Sequence, residues 1–313
     1  MNRIVALIVL SCLSVLAACG VEGVTDVTPT AQPKPTEPFT PIVIQATATA
    51  VAAPATPTTR PSSTSEPTKP VEPTKVSETP LPTATTAPAS VDSPMVEIAA
   101  GSFQMGNATG GADSKPPHNV DVAAFLLDQF EVSNADFKKF VEATGYKTDS
   151  EKSGDKSWAK FAEGKDNHPV VKASWNDANA FCEWAGKRLP TEAEWEFAAR
   201  GAKDFAFPYG NAFNAKNQNG KESGIRGTTV VGSYPDGASP FQVLDMAGNV
   251  WEWTGSKPEK YQGNTANSKL YGDNLFILRG GGWFDVQDQL TTFYRNSAVP
   301  TTANDDLGFR CAK

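Results

Sequence analysis

The C-terminal stretch RGGGWFDVQDQLTTFYRNSAVPTTANDDLGFRCAK, residues 279–313, constrains this chain more than any other. Gly280, Gly281 and Gly282 let backbone approach backbone where any Cβ would collide. Trp283, Phe284, Phe293 and Tyr294 supply bulk beyond that turn, and Leu307 and Phe309 close the segment. It reads as a structural spine with a tight glycine turn at one end.

The rest of the chain divides by composition. Residues 21–92 are mostly Pro, Thr, Ala, Ser and Val, with Phe39 the single aromatic. Such a tract buries too little apolar area to offset its ordering entropy and is expected to be disordered. Roughly 220 residues remain, ample for one core, and all seven Trp lie among them. The formal charge is −7 and the Lys and Arg are scattered, which argues against a nucleic-acid partner. With two histidines, His118 and His168, histidine-rich metal centres and His-based triads are not expected.

Met1-Asn2-Arg3 is a short basic start, and the apolar run from Ile4 to Leu16 is too short to span a bilayer permanently. It ends in Leu16-Ala17-Ala18-Cys19-Gly20, which looks like a bacterial lipobox. The reading is a signal peptide over 1–18, lipidation at Cys19 and a stalk over 19–93, ahead of a folded domain over 94–313. An ordinary secretory signal with an incidental cysteine is the alternative. The stalk favours the lipid anchor, because at roughly 3 Å per residue a Pro/Thr-rich tract of that length reaches well over 100 Å. An extracytoplasmic protein held on a bacterial membrane is therefore expected. Cys182 and Cys311 then remain in a compartment where a disulfide can persist, with two buried free thiols as the alternative.

Within the folded part, residues 95–106 read as strand and turn and residues 118–128 as a second strand. Ser133, Ser174 and Thr191 sit at capping positions ahead of three helices that stop near Gly145, Gly186 and Gly201. Residues 146–166 read as a long polar surface loop. The glutamates of the third helix, Glu192, Glu194 and Glu196, read as scattered around it, one of them a cap, rather than as an acid–base pair. From Phe205 onward helical periodicity vanishes, and irregular loops on a small sheet are expected; such loops tend to be functional or ion-stabilised. Asp245 and Glu252 stand seven residues apart around a glycine turn, the kind of loop in which a hard cation finds carboxylate and carbonyl oxygens.

Taken together, RGGGWF…LGFRCA, LDMAGNVWEWT (residues 244–254) and GKRLPTEAEWEFAARG (residues 186–201) resemble the formylglycine-generating enzyme, or sulfatase-modifying factor, family over about residues 94–313. The resemblance implies a single compact α+β domain with little regular secondary structure, related to C-type lectins. It implies a Cys182–Cys311 disulfide. It also implies one Ca²⁺ held by the Asp245 side chain, the Gly248 and Val250 carbonyls and the Glu252 side chain. A second calcium site upstream, near residues 217–225, is not expected, since Ser223 stands where the family has a ligand aspartate.

The family's oxidase chemistry uses Cu(I), which needs sulfur ligands. Active members carry two thiols five residues apart after the glycine run. One register puts Asp285 and Leu290 at those positions and the other Val286 and Thr291; no cysteine occurs between Glu183 and Arg310. The family's active-site serine falls at Gly282 or Trp283, its asparagine at Asp306. Copper is therefore not expected. The chain reads as a binding or accessory module, a monomer, with a peptide, glycan or protein ligand in a groove around Trp283, Asp285, Arg295 and Asp306. Trp283 has a second reading as a core residue, and Arg295 as the partner of a nearby carboxylate. The competing function is a formylglycine-generating oxidase acting on sulfatase cysteines.

Overall fold

The computed structural model describes residues 93–313. The signal, Cys19 and almost all of the stalk lie outside the described residues. All the described residues belong to one unit, residues 79–313.

Two antiparallel strand pairs open the domain. β1 (Met95–Ile98) pairs with β4 (Phe125–Asp128), and β2 (Gly101–Met105) pairs with β3 (His118–Val122). The alternation read as one strand and turn on each side is thus two short strands on each side, shared between two pairs. A four-stranded sheet forms late in the chain, in the order β7 (Asn296–Ala298), β6 (Phe276–Arg279), β5 (Trp251–Trp253), β8 (Leu307–Phe309). β5 and β8 run parallel, and the other neighbours are antiparallel.

The three capped helices form where the capping residues stand. In α1 (Asn134–Thr144), Ser133 accepts from Asp136 N, and Gly145 ends the helix in the left-handed region. Residues 146–166 are not one loop. They hold α2 (Asp149–Ser153), with a capping box from Thr148 and Glu151, and α3 (Trp158–Ala162). Thr148 and Ser150 are buried, and that burial orders a segment whose polarity resembled that of a surface loop. α4 (Trp175–Trp184) and α5 (Glu192–Arg200) each start with a capping box, at Ser174 and Thr191.

α1, α3, α4 and β8 meet in an aromatic core of Phe137, Phe140, Trp158, Phe181 and Phe309. Phe181 lies 5.8 Å from Phe137 in a stacked pair and 5.4 Å from Phe309 edge-on. A second core collects Phe103, Phe197 and Trp195 under the early strands.

The C-terminal segment is the spine expected of it. Val132 N donates to Phe309 O at 2.9 Å, and Asp128 N donates to Cys311 O at 2.9 Å. Cys311 is bonded to Cys182 of α4, with Cα atoms 5.7 Å apart. Ala312 bridges both Leu127 and Arg188. One short run of backbone thereby ties β5, β4, α4 and the start of α5 together.

Candidate functional site

The site region is built on the turn between β6 and the C-terminal loops. Gly281 has φ +74°, and a Cβ there would lie 2.6 Å from Leu290 Cδ2, so the glycine is required by a neighbour as well as by conformation. Leu290 is fully buried against Phe207 and Ala247. Gly282 N donates to Asp285 Oδ2 at 2.8 Å, and Trp283 N donates to Asn249 O at 2.9 Å. The turn therefore fixes Asp285 inward and leaves Phe284 outward, 57 % exposed.

Asp306 packs against Gly282, its Cβ 3.1 Å from where a Gly282 Cβ would lie. Burial, then Asp285 and Asp305, push its carboxyl up to about 6. Burial also pushes Asp285 up, against hydrogen bonds from Gly282 N and the Trp251 and Gln289 side chains. Trp283 is half-buried rather than core, its Nε1 donating to Asp305 O at 3.3 Å. Trp283, Asp285 and Asp306 thus come together, flanked by exposed Phe284 and Val286. In either register, the two positions expected to lack sulfur hold a carboxylate and an isobutyl group, or Val286 and Thr291.

Arg295 does not join that group. It is turned onto Glu192, Nε to Oε1 at 2.6 Å and Nη2 to Oε2 at 2.8 Å, with its guanidinium 4.3 Å above the Tyr261 ring. This is the pairing with a carboxylate given as its second reading.

The glutamates of α5 also differ from expectation. Glu192 and Glu196 are one turn apart and so share a helix face, and both are buried. Glu196 binds Arg200 at 2.9 Å and also Arg279, while Arg279 lies 3.8 Å from Glu192. Only Glu194 is the cap, accepting from Thr191 N at 2.8 Å. Arginines hold both, Arg295 and Arg279 on Glu192 and Arg200 and Arg279 on Glu196, and Gly106 N also donates to Glu196 at 2.8 Å.

The loop proposed for calcium is wound tightly. Asp245 and Asn249 adopt φ +59° and +66°, and Gly248 φ +84°. Asp245 Oδ2 accepts from Gly232 N at 2.6 Å. Glu252 is fully buried in β5 and its oxygens accept from Arg310 Nε (2.7 Å), Arg310 Nη2 (2.6 Å) and Trp195 Nε1 (2.8 Å). Glu131, which the sequence did not single out, completes the cluster, accepting from Asn249 Nδ2 at 2.6 Å and Val250 N at 3.2 Å. Its only sequence signal is an acid set between Phe130 and Val132 just before a helix cap.

Three buried carboxylates therefore face one guanidinium. Burial, opposed by the Gly232 amide and Arg310 and reinforced by Glu252, leaves Asp245 at about 6. Burial, then Asp245 and Glu252, hold Glu131 well above the usual carboxylate range. A surplus of buried negative charge needs a proton or a cation. The oxygen donors suit a hard cation. Against that, three acceptor positions of Glu252 are taken, and among the described residues no three His, Cys, Asp or Glu side chains converge as a ready metal cage. Upstream, Ser223 Oγ donates to Asn219 Oδ1 at 3.0 Å.

An α+β domain with little regular structure, a C-terminal spine and a glycine-run turn defines a class of protein. The family of the sulfatase-modifying factor enzyme 1-like domain matches residues 81–313, and the chain belongs to that family. It is 34 % identical over 275 residues to the bovine (Bos taurus) inactive C-alpha-formylglycine-generating enzyme 2, covering 70 % of this chain and 87 % of that one. It is 34 % identical over 279 residues to mouse (Mus musculus) formylglycine-generating enzyme, covering 70 % and 74 %. The solved structure of PvdO from Pseudomonas aeruginosa matches with TM-score 0.55 and 28 % identity, over 70 % of this chain and 93 % of that one. A relative named as the enzyme and one named inactive are thus each 34 % identical to this chain.

Proposed function

We propose that this chain is a non-catalytic binding or accessory module, displayed outside a bacterial cell on a stalk lipidated at Cys19. The observation that carries the reading is the occupancy of the turn after the glycine run. Asp285 is committed to the Gly282 amide, Leu290 fills an apolar pocket, and both cysteines of the described domain are joined to each other. Cu(I) chemistry needs thiolates, and these residues do not fit it.

The ligand class follows from the surface. Trp283, Phe284 and Val286 offer apolar contact beside Asp306, which suits a peptide carrying aliphatic and basic side chains. A fluorescein-labelled peptide alternating leucine and arginine should bind, and one alternating leucine and glutamate should not. Phe284→Ala and Asp306→Asn should each weaken the first at least tenfold, on the scale of a central aromatic or paired charge at an interface. Equal binding of both peptides, or indifference to both variants, would contradict the reading.

The reading includes one Ca²⁺ at Asp245, the Gly248 and Val250 carbonyls and Glu252, with Glu131 supplying nearby charge. Bound there, the ion would neutralise the buried surplus and brace the loop against β5; it takes no part in a reaction. The competing reading, an oxidase acting on sulfatase cysteines, draws on membership of the sulfatase-modifying factor family.

A further inference from the structure

Five large hydrophobic side chains are exposed among the described residues, and four of them, Ile225, Val230, Phe284 and Val286, stand on two neighbouring segments. Those segments are fastened to each other. Lys221 N donates to Asp285 O at 2.9 Å, and a Cβ on Gly220 would lie 2.4 Å from Leu290 Cδ1 and 3.2 Å from Asp285 O. Buried Asn249 holds both, its Oδ1 accepting from Thr229 N and its backbone O from Trp283 N, each at 2.9 Å. Scattered exposed apolar residues are ordinary on a soluble domain, whereas a cluster on one wired surface marks an interaction site.

The charges around this patch are sorted by end. Beyond Asp285, the turn over residues 221–226 carries Lys221 and Arg226, both exposed and neither paired with another described residue. Its one acid, Glu222, turns back on the loop, Oε2 lying 3.6 Å from where a Gly220 Cβ would be. At the other end Asp306 packs against Gly282, and exposed Asp305 accepts from the Trp283 indole through its backbone carbonyl, which leaves its carboxylate unpaired. Asp288, exposed two residues past Val286, is a further acid of the site loop. A face with aliphatic and cationic groups at one end and carboxylates at the other is complementary to itself when turned through a half-circle. The groove suits a ligand with aliphatic and basic side chains, and Ile225-Arg226 presents that pair on the chain itself. We propose that the partner of this groove is a second copy of the chain, docked about a two-fold axis so that Arg226 of each copy meets the partner's Asp305 and the two sets of Ile225, Phe284 and Val286 close on each other. The inference rests on the binding reading above and replaces the monomer expected from the sequence. A face of a few apolar residues suits a weak, exchanging dimer.

The test is sedimentation equilibrium over a concentration series, on the chain from Gly20 onward, which carries no lipid. The parent should associate to a dimer and no further, since a two-fold contact closes. Arg226→Asp places a residue that tolerates the left-handed backbone found there, φ +58°, and Asp305→Arg changes an exposed side chain. Each variant sets like charges against each other at both copies of the contact and should weaken association at least tenfold. Mixed in equal amounts, the two variants should recover association as heterodimers, because every contact then joins opposite charges; that recovery also shows both to be folded. The leucine–arginine peptide should dissociate the parent dimer by occupying the groove. A monomeric parent, a dimer indifferent to both charge reversals, or a mixture no more associated than either variant alone would each overturn the proposal. Binding of the peptide to a parent that stays monomeric would overturn it while leaving the binding reading intact.

Discussion

Arg310 grips Glu252 through two parallel hydrogen bonds of 2.7 and 2.6 Å, with both side chains wholly buried. The same guanidinium donates to the carbonyls of Asp128, Gln129 and Leu244, so one side chain joins β5, the end of β4 and the start of the loop that carries Asp245. Removing one partner of such a pair strands a buried charge, which costs about 3–5 kcal/mol. Arg310→Met should therefore lower the urea midpoint by that equivalent, and Glu252→Leu added to it should recover part of the loss. A cost below about 1 kcal/mol, on the scale of an exposed pair, would contradict the role assigned to Arg310.

The Cys182–Cys311 bond closes a loop with a sequence separation of 129. In the chain-entropy treatment a loop of that order contributes about 5 kcal/mol. Cys182→Ala with Cys311→Ala should lower the unfolding free energy accordingly, and mass mapping under non-reducing conditions should recover the two peptides linked. Free thiols in the untreated protein would refute the bond.

Asp306 supplies a pH dependence whose direction can be worked out. Its carboxyl is raised to about 6, by burial and by Asp285 and Asp305. A carboxyl that binds its proton more tightly when folded contributes stability that is complete below the unfolded value, near 4. That contribution is lost as pH rises through about 6. Discounted for the solvent that screens this partly exposed group, the effect is about 1–2 kcal/mol. Asp306→Asn should be more stable than the parent at pH 7.5 by roughly that much and should flatten the slope between about pH 4 and 6.5. An unchanged slope would remove Asp306 as its source.

For calcium, the measurement is a melt with and without chelator, repeated on Glu252→Gln. A ligand at a hundred times its Kd stabilises by about 2.7 kcal/mol, which is several degrees for a domain of this size. The parent should lose those degrees in chelator and the variant should be indifferent to it. A parent melt that does not respond to chelator would count against the ion and leave protons as the balance for Glu131 and Asp245.

Much of this was legible locally. Ser133, Ser174 and Thr191 each announced a helix because capping is an interaction over three residues. The glycine run and LGFRCA announced the spine because close approach demands glycine. What stayed hidden was set by partners far along the chain. Arg295 was placed in the groove by the family resemblance, and its partner is the carboxylate of Glu192, 103 residues away. Glu131 carried no motif, and its importance comes from Asn249 and Val250, 118 and 119 residues off. The polarity of residues 146–166 concealed α2 and α3 because Thr148 and Ser150 are buried with their hydroxyls inside. The Glu192–Glu196 face and the Thr148–Glu151 capping box were local features misjudged, since spacing of four on a helix predicts the first and a threonine three residues ahead of a glutamate announces the second.

The central claim is that the scaffold of an oxidase family is present here without oxidase chemistry. The most direct measurement incubates the purified domain with Cu(I), O₂ and a peptide carrying a sulfatase-type cysteine, followed by mass spectrometry of the peptide. The account predicts that the cysteine is returned unchanged and that Cu(I) titration finds no tight dithiolate site. Enzyme-dependent conversion of that cysteine to formylglycine would contradict it.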